Sequence, residues 1–374
     1  MPKVSKPVLL VAGGGTGGHI QPAIAIADAY AAANPDVEIR FCGTAKGMES
    51  TLVPAAGYPY HAVRASGFPR RLSAALWRAA ADFVAGRREC ARLIRTYRPF
   101  AVVGTGGYVC GPLVSAAKKA GVPVLLHEQN AYPGKANRYL SRGAHTVCIS
   151  YEGTERYFGK AGDTLLTGNP VREVFFRTRS EDARKSLGLA DGDRMVLVLG
   201  GSQGAASITE AILAWSRAGL PDRVRIVLMV GRKNFEGILR EAAGLHGIDV
   251  RDYIQDVHVY MAAADLLVCR AGALTCAEIA ALGKPSVLVP YPYAAGDHQT
   301  FNALAFEREG ASLHVPDGAF TPSAAGGILE SLLADPDRLR SMGLAAATLA
   351  KPDAAASIAE RLARIRRETG HGGT

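Results

Sequence analysis

The chain has 374 residues, 48% of them apolar, and a formal charge of +9, enough apolar material for two cores, so length alone makes two domains the leading expectation. Six cysteines without a C-x-x-C pair argue against a disulfide framework or zinc site and fit a reducing cytoplasm; the 42 glycines lack a collagen-like period and belong to turns; no apolar run suits a signal peptide or a membrane span. The charge is uneven, with about 20 basic and about 10 acidic residues in 1–171, roughly +10, against about −1 in the remainder, and a basic half implies an anionic partner: phosphate, anionic lipid or nucleic acid.

Residues 7–11 read as a strand, followed by Gly13-Gly14-Gly15-Thr16-Gly17-Gly18-His19 and an alanine-rich helix over 22–33. Gly13, Gly15 and Gly18 satisfy G-x-G-x-x-G, but the second strand, 38–43, ends in Phe41-Cys42-Gly43 without the acidic companion, which argues against a nicotinamide dinucleotide. What remains is a phosphate-tolerant loop with Thr16 and His19 at a helix mouth. A lone histidine there is ordinarily bonded to backbone; the glycines that open space around it favour function. Residues 67–88 place Leu72, Leu76, Ala80, Phe83 and Val84 on one helical face beside arginines. A core stripe is the first reading of that face, and an interfacial membrane contact including Trp77 is its competitor. Further strands, 100–103 and 122–126, lead into Gly104-Thr105-Gly106-Gly107-Tyr108 and His127-Glu128-Gln129-Asn130. Three loops thus converge on the carboxyl edge of one sheet. His127 and Glu128 either hold their turn together or touch substrate, and Asn130 is the better ligand candidate.

After Thr167-Gly168-Asn169-Pro170-Val171-Arg172 and a charged segment, 177–194, the pattern restarts with a strand at 195–199 and Gly200-Gly201-Ser202-Gln203-Gly204-Ala205 opening a helix. Two such starts about 190 residues apart predict two doubly wound domains facing across a cleft, with Arg172 at the crossover. Strands at 225–230 and 250–253 follow, the second ending near Ile254. Residues 266–302 are the densest stretch: a buried strand at 266–269, a turn at 270–274, a helix opening at Thr275, a strand at 286–290 and a polar loop into a helix near Gln299. Its first strand end carries small residues for anion approach and then Glu278, suited to ribose hydroxyls, although Thr275-Cys276-Ala277-Glu278 also matches a capping box. Its second carries His298, Gln299 and Asn302, suited to sugar hydroxyls, so the stretch reads as a nucleotide-sugar site. A last strand at 313–315 precedes helices at 323–333, 336–349 and 357–367 and a disordered 370–374. Asp191-Gly-Asp193 and Asp335-Pro-Asp337 read as turns or helix starts, so no dedicated metal site is expected.

GGGTGGHIQPAIAIA, GTGGYV, HEQN, GNPVR, LGGSQGA, CRAGALTCAEIAALGKPSVLVP and DHQTFNA, in this order from about Leu9 to Gly310, closely resemble the MurG family, the bacterial N-acetylglucosaminyltransferases of peptidoglycan synthesis. The resemblance implies an α/β GT-B fold: two Rossmann-like doubly wound domains facing across a cleft. Residues 1–171 would form the acceptor and membrane side, 172–349 the UDP-GlcNAc side, and a tail helix about 350–370 would return to the first domain. It implies inverting transfer of GlcNAc from UDP-GlcNAc to the 4-hydroxyl of MurNAc in lipid I, giving lipid II, with His19 as general base and no cofactor or metal. The implied donor set is Thr16, Gly17, Gly18, Asn130, Arg172, Ser202, Ile254, Ala273, Leu274, Thr275, Glu278, His298, Gln299 and Asn302. His298 stands where the family often has a second glutamine. The acceptor set is Gly14, Gly15, Thr105, Gly106, Tyr108 and His127, with Thr16 bordering it, and membrane contact falls to Leu72, Leu76, Trp77 and Phe83. Implied partners are the two substrates, an anionic surface at the cytoplasmic face of the bacterial inner membrane, and proteins of cell-wall synthesis and division, but no nucleic acid. The rivals are another GT-B enzyme, such as a glycolipid glycosyltransferase or a UDP-GlcNAc 2-epimerase, and a non-catalytic nucleotide-binding membrane scaffold; GGGTGGH, GGYV and HEQN together favour lipid I.

Overall fold

The computed structural model describes residues 6–68, 74–200 and 204–371, and the chain divides into two units, Met1–Val171 with Asp353–Thr374 and Arg172–Pro352. The first unit contains, in order, β1 (Val8–Ala12), α1 (Gly17–Ala33), β2 (Glu38–Gly43), α2 (Glu49–Ala55), β3 (Tyr60–Ala62), α3 (Ala74–Tyr97), β4 (Ala101–Gly104), α4 (Cys110–Lys119), β5 (Val124–Glu128), α5 (Lys135–Leu140), β6 (Thr146–Ile149) and β7 (Thr164–Leu166). Its described strands form one parallel sheet in the order β3-β2-β1-β4-β5-β6-β7. Both faces are covered, which is why β1 is apolar throughout rather than alternating. Leu9 and Val11 pack with Ile20 and Ile26 of α1, whereas Val8, Leu10 and Ala12 pack with Cys90 and Ile94 of α3 and Leu113 of α4.

Three details differ from the sequence expectation. The short strands β3, β6 and β7 carry too few residues for a period to show. Helix α1 begins at Gly17, not Pro22; Pro22 lies inside it and forgoes the bond to the Gly18 carbonyl, so Gly17, Gly18 and His19 form its first turn. The core reading of the 67–88 stripe is overturned. The face α3 buries is Ala79, Gly86, Cys90 and Ile94, Leu76 and Phe83 are half-buried at its margin, and Trp77 is 80% exposed. A Cβ on Gly86 would meet the Arg64 carbonyl at 1.8 Å, so this glycine sets the approach of the helix. Leu72 lies outside the described residues.

The second unit contains α6 (Val174–Arg177), α7 (Ser180–Ser186), β8 (Arg194–Leu199), α8 (Ala206–Ala218), β9 (Val224–Met229), α9 (Phe235–Glu241), β10 (Ile248–Arg251), α10 (Val257–Ala263), β11 (Leu266–Cys269), α11 (Ala273–Leu282), β12 (Ser286–Leu288), α12 (His298–Arg308), β13 (Ser312–His314), α13 (Ala325–Leu333) and α14 (Pro336–Thr348). Its described strands form a parallel sheet in the order β10-β9-β8-β11-β12-β13. Val196, Val198 and Val268 pack with Ile212 of α8 and Leu329 of α13. In each sheet the order reverses beside its first strand, between β1 and β4 and between β8 and β11, and the crevice beyond the carboxyl ends at such a switch is where doubly wound sheets take ligands.

The last helix, α15 (Ala354–Glu368), belongs to the first unit: Ile358, Leu362 and Ile365 enter the core beside α1, Arg361 pairs with Asp163 at 3.0 Å, and Arg366 grips both carboxylate oxygens of Asp36. The order continues past the helix, where Arg366 Nε donates to the His371 carbonyl at 2.8 Å. Gly370 and His371 are therefore held, contrary to the expected disorder, and 372–374 lie outside the described residues.

Candidate functional site

In the first unit the loop after β1 and the loop after β4 lie against each other because glycine permits it. A Cβ on Gly13 would fall 2.2 Å from Thr105 Oγ1. One on Gly106, whose φ is +113°, would fall 2.7 Å from His19 Nδ1. Thr16 caps α1 in an extended conformation, and its carbonyl accepts from the backbone N–H groups of His19 and Ile20 at 3.1 and 3.2 Å. The Tyr108 ring stands beside Gly15, and Tyr108 is 37% exposed. Thr105 and His127, expected on the acceptor side, are instead wholly buried, and their polar atoms are engaged inside the protein. Thr105 Oγ1 donates to the His19 carbonyl at 2.6 Å. His127 bonds the Gly168 carbonyl through Nε2 at 3.0 Å and Gln129 through Nδ1 at 2.9 Å. Burial pushes its imidazole down to about 4, with the Gly168 bond opposing in part, so it is neutral at pH 7.

Two residues that the sequence reading did not single out organise this half. Gln129, 1% exposed, joins Thr105, His127 and His19, its Oε1 lying 3.1 Å from His19 Nδ1. A usable signal existed, because period two places Gln129 on the same side of the β5 terminus as His127. Glu49 is also wholly buried; its carboxylate accepts from Gly15 N at 3.2 Å, Thr44 N at 3.1 Å and Thr44 Oγ1 at 2.7 Å. Burial raises its carboxyl, but these bonds outweigh burial and hold it below its usual value. The Gly15 N–H is therefore committed to an internal anion rather than to a phosphate in its loop. In sequence Glu49 looks like any first-turn acid of a helix. Glu128 accepts from Asn130 N and Nδ2, Gly134 N and Asn137 Nδ2, and so shapes the loop that carries the half-buried Asn130.

In the second unit α11 starts at Ala273 with Gly272 as its cap, two residues before the expected Thr275. Thr275 is therefore the third residue of the helix, Glu278 lies a turn further in, and the capping-box reading fails. The backbone N–H groups of Ala273, Leu274 and Thr275, which lack intrahelical partners by position, gather at the carboxyl end of β11 and favour an anion. Glu278 is half-buried. Burial pushes its carboxyl up to about 7, with Arg172 drawing it the other way, and Arg172 itself is exposed, its guanidinium 5.1 Å from the Phe175 ring. Arg270 serves as a brace: it donates to the Val289 and Pro290 carbonyls at 3.1 Å each and to Ser207 at 2.9 Å, and it pairs with Asp317.

The loop into α12 turns through Gly296 and Asp297, both at positive φ. His298 Nδ1 lies 2.8 Å from the Ala295 carbonyl, so it donates and leaves the lone pair on Nε2. Gln299 accepts from Tyr291 N at 2.9 Å, which turns its NH2 group the other way. Asn302 is wholly buried and donates to the Ala271 carbonyl at 3.0 Å, so it braces the turn that sets α11. Ile254 is buried just past β10, and Ser202 lies outside the described residues. A cavity of about 670 Å³ bordered by Arg184, Asp265 and Lys284 sits at the opposite, amino ends of β8 and β11 and includes none of these residues.

Residues 9–149 match the glycosyltransferase family 28 N-terminal domain, and residues 195–358 match its C-terminal domain. A relative from Alkaliphilus metalliredigens is 38% identical over 350 residues, 92% of this chain and 96% of the relative. One from Desulforudis audaxviator is 39% identical over 367 residues, 96% and 98%. Both are named UDP-N-acetylglucosamine–N-acetylmuramyl-(pentapeptide) pyrophosphoryl-undecaprenol N-acetylglucosamine transferase. The crystal structure of Acinetobacter baumannii MurG superposes with a TM-score of 0.77 at 29% identity, covering 96% of this chain and 99% of that one. With the UDP-GlcNAc 2-epimerase of Neisseria meningitidis the identity is 13% and the TM-score 0.69, a likeness of fold alone. With matched domains in both halves and relatives close to its full length, the chain belongs to the MurG transferases of glycosyltransferase family 28.

Proposed function

We propose that this chain transfers GlcNAc from UDP-GlcNAc to the 4-hydroxyl of MurNAc in lipid I, giving lipid II with inversion at the anomeric carbon. What carries this reading is that both relatives described above, matched over more than nine-tenths of their length, carry the donor, the acceptor and the transfer of N-acetylglucosamine in their names; the 4-hydroxyl and the inversion are part of the proposal. His19 takes the 4-hydroxyl proton at Nε2 as the oxygen bonds to the anomeric carbon, and the bond from that carbon to the UDP oxygen breaks on the opposite face. The charge left on the diphosphate is met by the first turn of α11 and by Arg172, without a cofactor. Glu278 accepts from the ribose hydroxyls, while His298 and Gln299 meet the GlcNAc.

Lipid I is membrane-bound, and among the described residues no helix is long and apolar enough to cross a membrane. The chain therefore meets its acceptor peripherally, at the cytoplasmic face where the nucleotide sugar is available. The contact is the outer side of α3, where Trp77, Arg78 and Arg88 are exposed. The test is incubation of the purified protein with labelled UDP-GlcNAc and a lipid I analogue: label in the lipid fraction is expected, and unchanged donor would remove the transferase reading.

A further inference from the structure

The side-chain amide of Gln129 has two ends of equal shape, and its neighbours decide which is which. One end lies 2.7 Å from the Thr105 carbonyl, which can only accept, so that end is the NH2 group. The same NH2 reaches His127 Nδ1 at 2.9 Å, where it needs a lone pair. His127 supplies one, because its Nε2 lies 3.0 Å from the Gly168 carbonyl and must carry the ring's proton. The amide oxygen is thereby turned towards His19 Nδ1 at 3.1 Å, and since an oxygen there only accepts, Nδ1 carries the proton. Reversing the amide would set two oxygens 2.7 Å apart and lose the bond to His127.

We propose that Gln129 is a positioning residue for His19: its amide, fixed in orientation by Thr105 and His127, holds the imidazole as the Nδ1–H tautomer and so keeps the lone pair on Nε2. The inference rests on His19 being the general base. A neutral imidazole with its proton on Nε2 could not accept one there, so the tautomer is a condition of the chemistry. A neutral amide fixes it without adding the negative charge that a carboxylate in that place would bring. The Asn169 side chain donates to the Gln129 backbone carbonyl at 2.9 Å and holds the residue from behind.

The experiment is nitrogen NMR of the full chain labelled with [15N]histidine, the His19 signals being assigned by their loss in His19→Ala. It is joined to kcat and KM measured with UDP-GlcNAc and a lipid I analogue across pH. In the wild type Nδ1 should be protonated and Nε2 should not. Gln129→Met, similar in length but without the bonds, should show mixed tautomers and a kcat lower by roughly 10- to 100-fold, with KM for UDP-GlcNAc changed less than about twofold. A merely structural role would lower turnover without changing the tautomer. A proton on Nε2 in the wild type overturns the proposal, and so does an unchanged tautomer in folded Gln129→Met. Full turnover in His19→Ala would overturn the base assignment alone, because the wild-type spectrum still decides the tautomer. That spectrum also decides it if Gln129→Met does not fold.

Discussion

The hydroxyl of Thr105 donates to the carbonyl of His19 at 2.6 Å and ties the turn after β4 to the first turn of α1. Because the donor is wholly buried, the bond has no water to replace it. Thr105→Val keeps the shape and removes the donor, and should cost about 0.5–1.5 kcal/mol, the net contribution of one intramolecular hydrogen bond, since the His19 carbonyl keeps its place in the α1 ladder. Thermal unfolding measures this loss, and UDP titration should give an unchanged dissociation constant while turnover falls.

His19→Ala should lower kcat by roughly 10²–10⁴-fold, the usual contribution of a positioned base. UDP affinity should hardly change, since the residue acts on the acceptor proton. Near-normal turnover in a folded variant would place the base elsewhere.

Glu278 holds its proton up to about pH 7 in the folded chain, well above the usual carboxyl value. If its carboxylate receives the ribose hydroxyls, UDP affinity should rise between pH 6 and pH 8 as the group ionises. Glu278→Gln removes this slope and a charged acceptor worth about 1.5–3 kcal/mol, so binding at pH 8 should weaken by roughly 10- to 150-fold. The stability sign is the reverse. The raised value contributes stability that is complete below about pH 4.5 and lost as pH rises through about 7. The Gln variant should therefore lack that decline, and equal dissociation constants for the two proteins at pH 8 would end the ribose assignment.

His127 works in the acid direction. Its imidazole is held at about 4 against the usual 6.5, so the unfolded chain takes up a proton first as pH falls. Stability that is complete above about pH 6.5 should be lost down to pH 4, on the order of 3 kcal/mol. Urea unfolding at stepped pH, compared with His127→Asn, isolates this part from that of Glu278.

Trp77→Ala should leave stability within about ±0.5 kcal/mol, because an 80% exposed side chain contributes little to folding. Its binding to anionic vesicles should fall, and co-sedimentation equal to wild type would remove α3 from the membrane contact. Phe83→Ala is a poorer probe, since Phe83 is half-buried and its ring lies 6.1 Å from that of Phe68.

The order of strands and glycine loops, both Rossmann-like halves and the stretch from Leu266 to Asn302 were all legible in the sequence, because a buried parallel strand is a continuous apolar run and a close turn demands glycine. Those are local requirements, written where they act. Gln129 and Glu49 were not legible as organisers: their partners His19 and Gly15 lie 110 and 34 residues away, and only the packed sheet brings them together. The same limit moved the start of α11 from Thr275 to Gly272, since a glycine in extended conformation caps as well as a hydroxyl does and leaves no side chain to announce it. On α3 the period was visible but its phase was not. Leu76 and Phe83 are as apolar as a core needs, yet the helix turns Ala79, Gly86, Cys90 and Ile94 inward because the Arg64 carbonyl passes too close to Gly86 for any side chain.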